Sequence, residues 1–89
     1  MIYRIYTEDK PESKRIAMEI LAAHGFMGAT FYKAQGLWDG KLENSLVIEL
    51  AGVNDDLDLG IRNIASNLRR ILEQESVMIV KLEGEVSYV

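Results

Sequence analysis

The sequence predicts a single domain of the α+β class, a ferredoxin-like βαββαβ sandwich in which an antiparallel sheet carries two helices on one face. Three observations predict it. Segments with two-residue apolar alternation and segments with three- and four-residue spacing follow one another as strand, helix, strand, strand, helix, strand. An Asp39-Gly40 pair separates the two middle strands, and both central residues of a tight type I′ hairpin need the positive φ that such a pair tolerates. The chain has 89 residues, enough for one hydrophobic core and one domain, 1–89.

The first strand is Ile2 to Thr7, β-branched and aromatic, with Ile2, Arg4 and Tyr6 on one side and Tyr3, Ile5 and Thr7 on the other. Pro11 suits a first helical turn, where its missing N–H would have no partner. The helix that follows places Ile16, Ile20 and Ala23 on one face, with Ala17 and Leu21 beside them, and Gly25 offers a left-handed cap. His24 in its last turn reads as a capping or solvated residue in preference to a catalytic one. The second strand runs through Ala29 to Trp38 and is expected to end or bulge at Gly36. Its partner, from Lys41, sends Leu46, Ile48 and Leu50 to one side and Ser45, Val47 and Glu49 to the other, until Gly52.

Asn54 reads as an N-cap, with Asp55, Asp56 and Asp58 in the first turn of the second helix and Arg69 and Arg70 in the last. Leu57, Ile61, Ile64, Ala65, Leu68, Ile71 and Leu72 form its apolar stripe. The last strand follows Gln74 and Glu75, with Val77 and Ile79 on one side and Met78, Val80 and Leu82 on the other. The tail after Gly84 is expected to add a short edge strand. Whichever register the sheet takes, apolar residues among Tyr3, Tyr32, Val47, Met78 and Val80 fall on the side without helices, and leaving them in water is unfavourable. Association into a homo-oligomer is therefore expected.

Composition narrows the function classes. With no cysteine, a disulfide framework, a thiolate metal site and a cysteine nucleophile are excluded, and one histidine cannot form a His-rich metal centre within a subunit. A net charge of −4 opposes binding to nucleic acid or to an anionic membrane, and no apolar run approaches the length of a spanning helix. The N-terminal MIYRIYTEDK lacks the apolar stretch of a signal peptide, so a cytoplasmic location is expected. Neither phosphate-binding glycine motif occurs, the Asp55, Asp56 and Asp58 run lacks the spacing of a calcium loop, and the serines lack a nucleophile-elbow context. No catalytic residue, metal or cofactor is assigned.

The stretch Tyr32 to Leu50, YKAQGLWDGKLENSLVIEL, resembles the central hairpin of the CutA family, small trimeric ferredoxin-like proteins related in shape to the PII signal proteins. Trp38, Gly40, Lys41, Glu43 and Val47 to Leu50 carry the likeness. It implies a trimer in preference to a dimer, with hairpins that reach across to neighbouring subunits and clefts at the boundaries. The family's cysteine after the first helix and its His-Pro-Tyr-Glu segment after the second have no counterpart in Gly25-Phe26-Met27-Gly28 and ILEQES, so copper binding does not carry over. The order of elements also resembles short uncharacterised bacterial and phage proteins.

On these grounds the candidate ligand-binding residues are Tyr32, Lys33, Trp38, Lys41 and Glu43. An indole face at Trp38 offers stacking area and one directed N–H, while packing against a neighbour is the competing role. Lys33 and Lys41 with Arg4 offer positive charge, and Glu43 with Glu49, or Gln74 with Glu75, are the acidic or amide pairs near strand ends. The expected function is a homo-oligomeric protein holding a nucleotide-like or other small metabolite between subunits. A protein-docking module without a small ligand is the alternative, and a cofactor-free enzyme of the dimeric α+β barrel type stands behind both.

Overall fold

The structure is a computed structural model that describes residues 1–51, 57–84, 86, 87 and 89. Six elements follow in the predicted order: β1 (Ile2–Glu8), α1 (Ser13–Ala23), β2 (Thr30–Trp38), β3 (Lys41–Ala51), α2 (Asp58–Ile71) and β4 (Met78–Leu82). The strands form one antiparallel sheet in the order β2-β3-β1-β4, the ferredoxin-like arrangement. Tyr3 and Ile5 of β1 join Ile48 and Leu50 of β3 on the helix side, where Ala17, Ile20 and Leu21 of α1 and Ile61, Ile64, Ala65 and Leu68 of α2 complete the core.

Local details depart from expectation for identifiable reasons. The α1 helix begins at Ser13, after Pro11, because the buried Ser13 hydroxyl accepts from the Lys10 N–H (2.9 Å) and donates to the Glu8 carbonyl (2.7 Å), which holds the preceding turn. Its buried face is Ser13, Ala17, Ile20 and Leu21, so Ala23 is exposed. Gly36 neither ends nor bulges β2, since pairing with β3 continues unbroken from Thr30 opposite Glu49 to Trp38 opposite Lys41. The hairpin closes through Asp39 and Gly40 at φ 49° and 73°, the type I′ signature. In α2, Ile61, Ile64, Ala65 and Leu68 are buried, as is Leu72 just after it, whereas Ile71 is exposed. Asp58 lies in its first turn and Arg69 and Arg70 in its last; the Asn54, Asp55 and Asp56 cap lies outside the described residues. Val86, Ser87 and Val89 in the tail belong to no strand.

The face without helices is mixed. Tyr3, counted among its possible apolar residues, lies in the core instead. Across that face Tyr32, Val47, Tyr6 and Met78 form one row, and Thr30, Glu49, Arg4 and Val80 the next. Val47 is 0% exposed although no helix covers it, since it sits between two tyrosines on its neighbouring strands. Arg4 donates to Glu49 at 2.8 Å, so a partly shielded ion pair occupies what would otherwise be a continuous apolar patch.

Beyond Glu8, which pairs with Ser45, β1 ends, yet β2 and β3 continue as a two-stranded arm closed by Asp39 and Gly40. The arm lengthens the molecule to 39 Å against 25 and 22 Å across. Leu37 and Leu42 on it are each 72% exposed and Trp38 is 68% exposed. An isolated hairpin is marginal in water, and exposed apolar side chains on one make it a surface that gains by being covered.

Both helices end in the same motif with different residues. After α1 the Phe26 N–H reaches the Leu21 carbonyl (2.9 Å) around Gly25 at φ 81°; after α2 the Gln74 N–H reaches the Arg69 carbonyl (2.9 Å) around Glu73 at φ 54°. A side chain in the left-handed region costs about 1 to 2 kcal/mol, which glycine avoids at an entropic cost of its own. Replacing Glu73 by glycine is therefore expected to raise stability by about 1 kcal/mol, read as a melting point higher by about 4 °C, and an unchanged melting point would count against that strain.

Candidate functional site

A concavity lies where three segments meet: the end of β1, the arm, and the turn from α2 to β4. It encloses about 620 Å³, within the range of roughly 300 to 1,000 Å³ common for small-molecule sites. Tyr6, Thr7 and Glu8 come from β1, and the Glu73 to Ser76 turn closes the side opposite the arm. Lys10 fixes the corner between these segments: its ammonium donates to the Leu72 carbonyl at 2.6 Å and lies 3.4 Å from Glu8. The buried Thr7 hydroxyl donates to the Gln74 carboxamide oxygen and ties β1 to the turn.

Charge in the cleft is one-sided. Among the described residues its wall carries five carboxylates, Glu8, Asp39, Glu43, Glu73 and Glu75, against one ammonium, Lys41. Such a site attracts cations and repels phosphates. Gly36 stands opposite Glu43 on the arm, and a Cβ there would meet nothing within 4 Å, so the wall beside this carboxylate is open. Trp38 and Tyr6 line the same space.

Three of the five residues singled out from the sequence, Trp38, Lys41 and Glu43, line this cleft together. Tyr32 and Lys33 do not. Tyr32 lies farther down β2 on the helix-free face, opposite Val47, while Lys33 points to the other side of the sheet and approaches Asp9 at 3.6 Å. Both belong to the hairpin that carries the other three, but alternation along a strand sends neighbours to opposite faces and length carries Tyr32 out of reach. Thr7, Glu8 and Glu73 were not singled out as site residues, since nothing local in the sequence says that β1 ends beside the α2–β4 turn. His24 is remote, its Nδ1 2.9 Å from the Ile20 carbonyl as a helix-end contact.

A second polar cluster lies toward the other end of β1. The Tyr3 hydroxyl donates to Asp58, and Lys81 approaches the same carboxylate at 3.0 Å. The hydrogen bond from Tyr3, then that from Lys81, lowers the Asp58 carboxyl below its ordinary value of 3.8. Burial, followed by the bond to Asp58, raises the Tyr3 phenol, and Asp58 raises Lys81. A lowered carboxyl contributes stability above its unfolded value that is lost as pH falls through its folded one; a raised phenol and ammonium contribute below their unfolded values and lose it as pH rises. The melting point is expected to hold between about pH 5 and 9 and to fall on either side, with a shallower acid limb in Asp58→Asn. An acid limb as steep in that variant as in the parent would remove Asp58 from the account.

The described residues thus form an α+β sandwich with a protruding arm and an acidic, aromatic-lined cleft. No family model and no curated protein matches the chain. Among solved structures, it is similar to a phage SAM lyase in the apo state, with a TM-score of 0.70 and 26% sequence identity over 88% of this chain and 75% of that one. Among the described residues no helix is long and apolar enough to cross a membrane, and no group of three or more potential metal-ligating side chains gathers.

Proposed function

We propose that the protein is a homo-oligomer that binds S-adenosylmethionine in the cleft between its arm and the α2–β4 turn, and that it acts on this molecule as a lyase. The observation that carries the reading is the charge of the cleft, five carboxylates to one lysine. That balance disfavours a phosphate-bearing nucleotide and suits a nucleoside with a cationic sulfonium. The likeness to a phage SAM lyase names such a molecule independently. Trimeric assembly, favoured over dimeric, rests on the hairpin's resemblance to CutA proteins and on the exposed Leu37, Trp38 and Leu42, which a neighbouring subunit would cover.

The chemistry asks little of the protein. A lyase breaks a C–S bond without adding water: the electron pair of that bond passes to sulfur, which becomes a neutral thioether, while the substrate's own carboxylate forms the replacing C–O bond and closes a lactone. Charge is lost on the way to products, so a site shielded from water by a neighbouring arm favours the step. A carboxylate facing the sulfonium stabilises the bound cation at least as much as the transition state, so its contribution falls on binding. Glu43, beside the open wall at Gly36, is our candidate for that carboxylate.

Isothermal titration with S-adenosylmethionine tests the reading, followed by product analysis for a thioether. Gly36→Val supplies the control, because the substitution adds bulk where the cleft is open and β-branching suits a strand. It is expected to leave the fold intact and to weaken binding at least about tenfold, by roughly 1.4 kcal/mol. Binding by Gly36→Val equal to the parent's would move the site elsewhere, and no heat with any adenosyl compound would end the proposal.

A further inference from the structure

We infer that Gln74 reads the amino-bearing edge of a 6-aminopurine, with Thr7 as the positioning residue that decides which way its amide faces. The inference rests on the reading above, that the cleft takes an adenosyl compound, and adds which part of it is recognised and by which atoms.

Thr7 lies on the core side of β1, in line with Tyr3 and Ile5, and is 2% exposed. A hydroxyl in such a place is unfavourable unless it is hydrogen-bonded, and valine would fill the same space. Its hydroxyl donates to the Gln74 Oε1, across 67 positions of sequence. The backbone of Gln74 is fixed as well, by its N–H bond to the Arg69 carbonyl and by the left-handed Glu73 before it. Backbone strain at a position that lines a cleft calls for an account in terms of what it holds in place.

Both ends of the Gln74 side chain are therefore constrained. Among the described residues its NH2 group has no protein partner, and Oε1 retains a second lone pair after accepting from Thr7. A donor beside an acceptor on one planar amide matches the purine edge where a ring nitrogen accepts and the 6-amino group donates, the pairing that glutamine makes with adenine. Turning the amide over would set its NH2 against Thr7 and leave the buried hydroxyl proton without an acceptor, so donor and acceptor keep their order. A 6-oxo purine held in the same orientation places an acceptor against Oε1 and pairs less well. Trp38 and Tyr6, in the same cleft, are the aromatic neighbours of the base.

Adenosine and inosine are suitable probes because both are neutral and the acidity of the cleft does not separate them. With the assembled protein, calorimetry is expected to show adenosine binding roughly tenfold tighter than inosine or better. Thr7→Val frees the amide to turn, so this ratio falls toward unity while the melting point stays near that of the parent. Gln74→Glu keeps an acceptor for Thr7 and hence the fold, but exchanges the NH2 donor for an oxygen, and adenosine affinity falls roughly tenfold. Equal affinity of the parent for the two nucleosides, or an unchanged ratio in Thr7→Val, overturns the inference and leaves the adenosyl reading standing. Failure of S-adenosylmethionine, adenosine and inosine alike to bind removes both.

Discussion

Replacing Leu37 and Leu42 together by serine is expected to reduce the mass measured by light scattering from a multiple of the protomer to 10.1 kDa, and to abolish any activity toward S-adenosylmethionine. The two residues face each other across the arm and are each 72% exposed, so the protomer's own core makes little use of them. Their loss costs the isolated arm only the cross-strand pair, about 0.2 to 1 kcal/mol. Far-ultraviolet circular dichroism should therefore be unchanged while assembly is lost. A parent that already runs as a 10.1 kDa monomer, or a variant that assembles as the parent does, would detach the site from any subunit boundary.

Glu43→Gln carries the second large effect. It is nearly isosteric, lies on an exposed stretch of the arm and removes one negative charge from beside the open wall at Gly36. Affinity for the sulfonium should fall about tenfold, whereas affinity for the neutral thioether product should hardly change, since only the cation is attracted by the carboxylate. In steady-state terms KM rises and kcat moves less, because the interaction is made with the bound substrate as well as with the transition state. An equal loss for sulfonium and thioether would mean that Glu43 shapes the cleft instead of charging it. A fall in kcat at unchanged KM would place the residue in the chemical step.

The arm connects these two results. A cleft walled on one side by a two-stranded extension is open to water in a single protomer, and electrostatic attraction across it is screened. Covering the arm's leucines with a neighbouring subunit would exclude water from the same space. Binding is accordingly expected to weaken with dissociation, and dissociation to be opposed by saturating ligand.

Much of the fold was legible in residues close together in the sequence. The Asp39-Gly40 turn, the α2 stripe of Ile61, Ile64, Ala65 and Leu68, and the cap at Gly25 each follow from spacing or from the backbone freedom of one residue type. Glu73 carries no such signal: it takes the left-handed position that glycine usually marks, so the sequence there reads as ordinary polar chain. Gly36 misled in the opposite sense, its meaning being the space beside Glu43 and not a break in the ladder. Tyr32 and Lys33 share the strand of Trp38, and the pleat with the strand's length separates them from it.

By itself, then, the sequence determined the element order, the hairpin, the alternation along the strands, the apolar stripe of α2, and the absence of thiol chemistry, all properties set by composition or within a few residues of one another. Only the tertiary structure decided that Thr7 meets Gln74, that Glu8, Glu73 and Glu43 line one cleft, and that Tyr3 belongs to the core. Such contacts join segments far apart in the chain. Strand order and helix packing bring them together, and neither is written in any local pattern of residues.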